Sequence, residues 1–345
     1  MLGCTAGSRF GDSVSEPRPM IPSFTYGGPL MSHIKRLGLV VVVALVATIT
    51  VDPAAALSQE SPYRLVDGWA QLPAGVEAWG QTIGVELDDE GNLWVFHRCF
   101  STSCDQGREG VAPVLKYDPS GRLVDSWGEG LFIWPHGFFF DDDGNIWTTD
   151  ARGSDGMGHQ VMKFTQDGRL LLTLGTAGVA GDGEDTFDGP ADVAIAPNGD
   201  IFVVDGHGNN RVVKFDKDGE FIMSWGGAGN GPGQFNEPHC LAFDSQGRLF
   251  VGDRVNERIQ VFDQNGRYLA EWNGIMASGM DITADDILYV ADYQLRMGIV
   301  IANASDFSEI GFIENAMPEG VTVDRMGNVY AGEVLPRNLK KFVRD

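Results

Sequence analysis

WPHGFFFDDDGNIWTTD, residues 134–150, decides the fold. It joins a Pro-His pair, an apolar run, an Asp-rich turn with Gly and Asn, a second apolar run and a terminal acid. The pattern returns as PADVAIAPNGDIFVVD (190–205), PHCLAFDSQGRLFVGD (238–253) and PEGVTVDRMGNVYAGE (318–333). Weaker versions are TIGVELDDEGNLWVFH (82–97) and SGMDITADDILYVAD (278–292), which makes six copies. Self-similarity at intervals of about fifty residues is the signature of a repeat array.

Each copy supplies two short strand candidates joined by a turn. A third follows as VMKFT (161–165), RVVKFD (211–216) or RIQVFD (258–263), and a fourth after another Gly turn, as in RLLLTLG (169–175) and EFIMSWG (220–226). Four strands per repeat predict the blades of an all-β, six-bladed propeller. The chain stops after LKKFV (339–343), a third strand without a fourth, while YRLVDGW (63–69) matches the fourth strand GRLVDSW (121–127). The N-terminal strand is therefore expected to complete the last blade and remove two exposed sheet edges.

The 345 residues carry a net charge of −23. A surface this acidic repels phosphate backbones and excludes nucleic acid as a partner. Residues 1–30 show no periodicity and read as an unstructured leader or a mis-assigned start before Met31. His33, Lys35 and Arg36 precede the apolar run 37–51, and Ala54–Ala56 follow, so 31–56 reads as a secretory signal. The run is short for a membrane span, although an uncleaved anchor is the alternative. The propeller then covers 57–345, and the protein is expected in the periplasm or outside the cell. Export permits disulfides: Cys99 and Cys104 flank a short loop and either pair or stay free. Cys240 beside His239 is a buried apolar residue or a thiol near a metal.

Aligned across the six copies, the Pro-His column reads Ile83, His136, Ala191, His239, Gly279, Glu319. Three potential ligands fall in blades 2, 4 and 6. Alternate blades of a six-fold ring lie about 120° apart around the axis, so these side chains would meet as a tripod at the channel mouth. Two His and one Glu with an open position suit zinc; the rival reading is that Pro-His only caps inner strands. At the end of the second strand the column is His97, Asp150, Asp205, Asp253, Asp292, Glu333, which reads as structural carboxylates accepting hydrogen bonds. Arg98 either clamps a substrate carboxylate or pairs with a neighbouring acid. His207, in DGHGNNR (205–211), is a base near neutral pH or a polar loop residue.

The copies resemble NHL repeats. VFHR (95–98), LFIWPHG (131–137), DGHGNNR (205–211), GQFNEPH (233–239), DRVNERIQ (253–260) and AMPEG (316–320) together resemble the peptidyl-α-hydroxyglycine α-amidating lyases. That resemblance implies a propeller with axial zinc held by three histidines, of which His136 and His239 match and Glu319 replaces the third. It implies catalytic roles for Arg98 and Met317, and places His207 where the family has Tyr. It also implies a calcium on the backbone oxygens of Val85 and Phe138, but Gly320 stands where the family's calcium site has Asp. The implied reaction cleaves a carbinolamide N–C bond, releasing an amide and glyoxylate from a small-molecule or peptide substrate. A lactonase-like metal-dependent hydrolase and a non-catalytic NHL binding module are the competing functions.

Overall fold

The computed structural model describes residues 61–345 of the chain; the predicted leader and signal segment lie outside the described residues. Six four-stranded antiparallel sheets form the blades of a propeller. The innermost strands are Thr82–Leu87, Pro135–Phe140, Pro190–Ile195, Pro238–Phe243, Gly279–Ile282 and Pro318–Val323, for blades 1 to 6. Each touches the innermost strand of the next blade, and blade 6 touches blade 1, so the ring is closed. Tyr63–Val66 is the fourth strand of blade 6, antiparallel to Asn338–Arg344 with Tyr63 opposite Arg344.

Local chemistry makes the hairpins. The carboxylate of Asp141 accepts the amides of Asp143 and Asn145, and Gly144 closes the turn at φ +75°. Asp88, Asp244 and Asp324 build the same turn in blades 1, 4 and 6. Asx chemistry followed by a left-handed Gly specifies such turns. Alternate side chains of the inner strands then pack between blades. Trp94, Phe96, Phe132, Phe138 and Phe164 fill the space between blades 1 and 2, and Phe202, Val204, Phe235, Leu249 and Phe262 that between blades 3 and 4.

The inner strands extend further back than their apolar runs FFF (138–140), VAI (193–195) and LAF (241–243). The strands begin earlier, at Pro135, Pro190 and Pro238, which pair with Asp150, Asp205 and Asp253. Proline is tolerated at the first residue of a strand, where its missing N–H costs no ladder bond. A register shift follows immediately in each case. The residue after the proline therefore belongs to the strand and faces the channel.

The strand-end acids are structural. Asp150 accepts the amides of Ile133 and Trp134 at 2.8 and 2.6 Å, Asp253 that of Asn236 at 2.7 Å, and Glu333 that of Met317 at 2.7 Å. Each carboxylate pins the loop that leads into its own blade's inner strand, just ahead of His136, His239 and Glu319. His97, the exception in the column, is fully buried: its Nε2 lies 3.1 Å from Ala112 O and its Nδ1 accepts the Phe100 amide at 3.0 Å. Burial pushes its pKa down to about 3, so it is a neutral structural group. Cys99 and Cys104 form a disulfide beside it, and Cys240 is a free, buried thiol.

Candidate metal centre and substrate pocket

His136 and His239 are the second residues of inner strands in blades 2 and 4. Their Nδ1 atoms lie 2.7 Å from the carbonyls of Ala191 and Ser278, one blade onward in each case. A carbonyl only accepts, so both rings carry the proton on Nδ1 and turn an Nε2 lone pair to the axis. His207 reaches the same place from the loop after the second strand of blade 3. An added Cβ at Gly206 would lie 1.6 Å from Pro238 O, so only glycine lets this loop press against blade 4. Nδ1 of His207 lies 3.1 Å from Glu237 Oε1, and its Nε2 lies 2.8 Å from Nε2 of His136. The ligand atoms of His136, His207 and His239 all fall within 4.8 Å of one another.

Glu319, from blade 6, brings Oε1 to 3.3 Å from His239 Nε2 and 3.6 Å from Arg254 Nη1. The approach to His239 lacks hydrogen-bond alignment, so that Nε2 is buried without a partner. Arg254 also bonds Glu237. Of the expected tripod, His136 and His239 cluster with His207 rather than with Glu319, which adjoins the cluster through His239. Met317 does not line the pocket; its backbone is held by Glu333 ahead of Glu319.

The electrostatics suit a cation. Burial lowers the pKa of His136 well below the usual value, reinforced by His207, His239 and Arg98. Burial and then Arg254 lower His239 to about 4, against the pull of Glu319. Burial would raise Glu319, but nearby His239, Arg254 and Arg98 outweigh it and hold it below the ordinary carboxylate range. Glu237 is brought down to about 2 against burial, chiefly by His207 and Arg254. An ionised Glu237 can only accept, so His207 also carries its proton on Nδ1. With its Nδ1 proton directed at Glu237, a neutral imidazole at His207 would turn a bare Nε2 to that of His136 at 2.8 Å, beside the orphaned Nε2 of His239. A shared cation relieves both problems, and histidine with carboxylate is a zinc-type donor set. The oxygen partners on all three Nδ1 atoms are the outer shell such ligands require.

Over the cluster lies a pocket of about 430 Å³ lined by Arg98, Trp134, Arg152, Arg254 and Tyr293, among others. Arg98 is anchored by Pro135 O at 3.1 Å and Gln81 Oε1 at 2.5 Å. Burial brings its pKa down to about 9. Its guanidinium carbon sits 3.4 Å from the centre of the Trp134 ring, and that of Arg152 sits 4.0 Å from the same centre. Below the cluster, Val85, Phe138 and Gly320 line a cavity of about 130 Å³ together with Glu86, Asp192 and Asp281. Those three acids come from blades 1, 3 and 5, so the channel alternates two sets of side chains. Burial raises Asp192 to about 7 and Asp281 to about 6; Glu86 is raised by burial, then by Asp281 and Asp192.

Sequence reasoning passed over Glu237, Trp134, Arg152 and the three channel acids. Glu237 had a visible signal: it is the only acid directly before the column's prolines, which elsewhere follow Trp134, Gly189 and Met317. The channel acids sit at unequal offsets along their strands and share no aligned column.

An NHL repeat pattern matches residues 187–215 and 235–262. Human NHL repeat-containing protein 3 is 33% identical over 305 residues, covering 81% of this chain and 84% of the human protein. The chain belongs to the NHL repeat family. Peptidyl-α-hydroxyglycine α-amidating lyase 1 of Drosophila melanogaster is 33% identical over 214 residues, covering 54% of this chain. This chain spans only 38% of that lyase's length. A gluconolactonase from Xanthomonas campestris shares the fold, with TM-score 0.57 and 14% identity over 78% of this chain and 87% of that one.

Proposed function

We propose that this protein is an exported, zinc-dependent lyase that cleaves the N–C bond of a peptidyl-α-hydroxyglycine-type substrate. The observation that carries the reading is the buried Nε2 of His239, partnerless and facing two further imidazoles and Glu319 beneath Arg98. The amidating-lyase resemblance over about half the chain supports the reaction type. The Cys99–Cys104 disulfide and the signal pattern of 31–56 support export.

His136, His207 and His239 would hold the zinc, with Glu319 beside them. When bound, the metal supplies Lewis acidity that polarises and acidifies the substrate hydroxyl. Arg98 holds the carboxylate next to the reacting carbon through paired N–H donors. The sequence offered His207 as a base, but its Nδ1 is taken by Glu237 and its Nε2 belongs to the candidate ligand cluster. Glu319 takes that role: Oε1 accepts the hydroxyl proton as the C–O bond becomes the carbonyl of glyoxylate. The C–N electron pair leaves on nitrogen, and the same proton passes to it to complete the amide. Trp134 walls the pocket beside His136 and His207, keeping water from the reacting carbon.

The test is elemental analysis of the purified protein together with glyoxylate release from N-acyl-α-hydroxyglycines. About one zinc per chain and glyoxylate with the matching amide are expected. Protein without metal affinity would overturn the centre. Metal-loaded protein that releases no glyoxylate would overturn the lyase assignment and leave the centre standing.

A further inference from the structure

The chain carries 48 acidic and 25 basic residues, yet arginine dominates its axial pocket. The three guanidiniums there are not equivalent. Arg254 is neutralised by Glu237 and Glu319. Arg98 is fixed by two neutral oxygens, Pro135 O and Gln81 Oε1, and makes no ion pair among the described residues. The Arg152 side chain makes no ion pair and no hydrogen bond among the described residues, and it is exposed at the pocket mouth.

Its one evident anchor is Trp134. Guanidinium carbons at 3.4 and 4.0 Å from one ring centre are too close to share a face, so the indole is sandwiched between Arg98 and Arg152. Stacking on indole stabilises each cation, but two positive charges on one ring also repel. Among the described residues of this acid-rich protein, no carboxylate forms an ion pair with either. An arginine's planar donor fork, pre-aimed and unfilled, fits an incoming carboxylate. The pocket also has more room than a single glycolate-sized group would need.

We infer that the pocket selects substrates with two anionic groups: the carboxylate beside the reacting carbon, held by Arg98, and a second carboxylate on the acyl side, held by Arg152. An acyl group ending in an acidic side chain or a dicarboxylic acid meets this description. The inference rests on the lyase reading only for which carboxylate lies next to the reacting carbon. Arg152 is a specificity-determining residue in this scheme and takes no part in the proton transfers.

Two paired comparisons test it on the mature, zinc-loaded protein. N-succinyl- and N-butyryl-α-hydroxyglycine are compared in turnover, and N-succinylglycine and N-butyrylglycine in equilibrium binding. The diacid of each pair is expected to be preferred about tenfold in kcat/KM or in Kd. Arg152→Ala should erase that preference, and Arg152→Glu should reverse it. Equal handling of diacid and monoacid by the native protein overturns the inference, as does a preference that survives Arg152→Ala. Arg152-dependent binding without any glyoxylate release would sink the lyase reading and leave this one standing. Glyoxylate release without discrimination would do the opposite.

Discussion

Glu237 stands two residues before His239 in the chain but gives its carboxylate to His207, 3.1 Å from Nδ1, across the boundary between blades 3 and 4. Its backbone is held at φ +57° and its amide is bonded to Asn210 Oδ1, so the side chain is aimed by the loop it reaches toward. A non-glycine residue in the left-handed region is worth explaining. Here the strained residue orients a ring in the candidate metal centre. The first prediction follows from this pair. Glu237→Leu should weaken zinc affinity about 10- to 100-fold, as loss of an outer-shell partner does, whereas Glu237→Gln should keep more of it by retaining an acceptor. His207→Ala should lose more than either. Chelator competition reads the affinities, and wild-type affinity in His207→Ala would return His207 to the role of a loop residue.

The second prediction concerns the carboxylates that place the column. Asp253 is fully buried and accepts from the Asn236 amide, Asn256, Arg258 and Gln260. Removing it leaves the guanidinium of Arg258 with only the partly exposed Glu271 and two carbonyls, and strands the amide that fixes the approach to Pro238-His239. Asp253→Ala is expected to cost about 3–5 kcal/mol, the range for breaking a buried pair from one side. Equilibrium denaturation measures this. A loss under about 1 kcal/mol would show that the loop is held by other means.

Much of this architecture was legible in the amino-acid sequence. Four of the hairpins share an Asp-x-x-Gly turn and five of the six strand ends carry an acid, so the six copies align, and the alignment alone puts His136, His239 and Glu319 on alternate blades. His207 was legible as a candidate but not as a member of the cluster. It lies in a loop outside the repeated strands, and its direction depends on Gly206 fitting under Pro238 O, a contact between blades with no local pattern. The pairing of Arg98 and Arg152 on Trp134 is likewise long-range. Residues 98, 134 and 152 come from strand ends and loops of two neighbouring blades, and only the packing of blade 1 against blade 2 brings them together.

The third prediction is a pH dependence. Asp281 faces the channel and accepts from the Val323 amide and Thr322 Oγ1, and burial raises its pKa from 3.8 to about 6. Folded protein therefore holds this proton more tightly than unfolded chain. The stabilisation from protonation is complete below pH 3.8 and is lost as pH rises through about 6. Asp281→Asn keeps an acceptor for Val323 but cannot ionise. The variant's melting temperature relative to wild type should therefore climb between pH 4 and 6.5 and level off above. A difference that is constant across this range would show that Asp281 ionises alike in both states.

The fourth prediction concerns ring closure. Tyr63–Val66 pairs with Asn338–Arg344, the Asp345 amide donates to Pro62 O, and Tyr63 packs against the cluster between blades 5 and 6, with its hydroxyl 3.4 Å from that of Tyr289. The bonds join segments nearly a whole chain apart, so they hold the ring shut against opening at blade 6. A chain beginning at residue 71 would expose the Asn338–Arg344 strand as an unpaired edge, and such edges recruit other chains. It should melt at lower temperature and form oligomers that grow with concentration, with the zinc affinity falling as Glu319 in blade 6 loses its fixed distance to His239. Adding a peptide of residues 61–70 in excess should restore the monomer, because it refills the missing strand. Size-exclusion chromatography with light scattering distinguishes the outcomes: a truncated chain that stays monomeric and melts like the full one would mean that blade 6 is held by its packing against blades 1 and 5 rather than by the N-terminal strand.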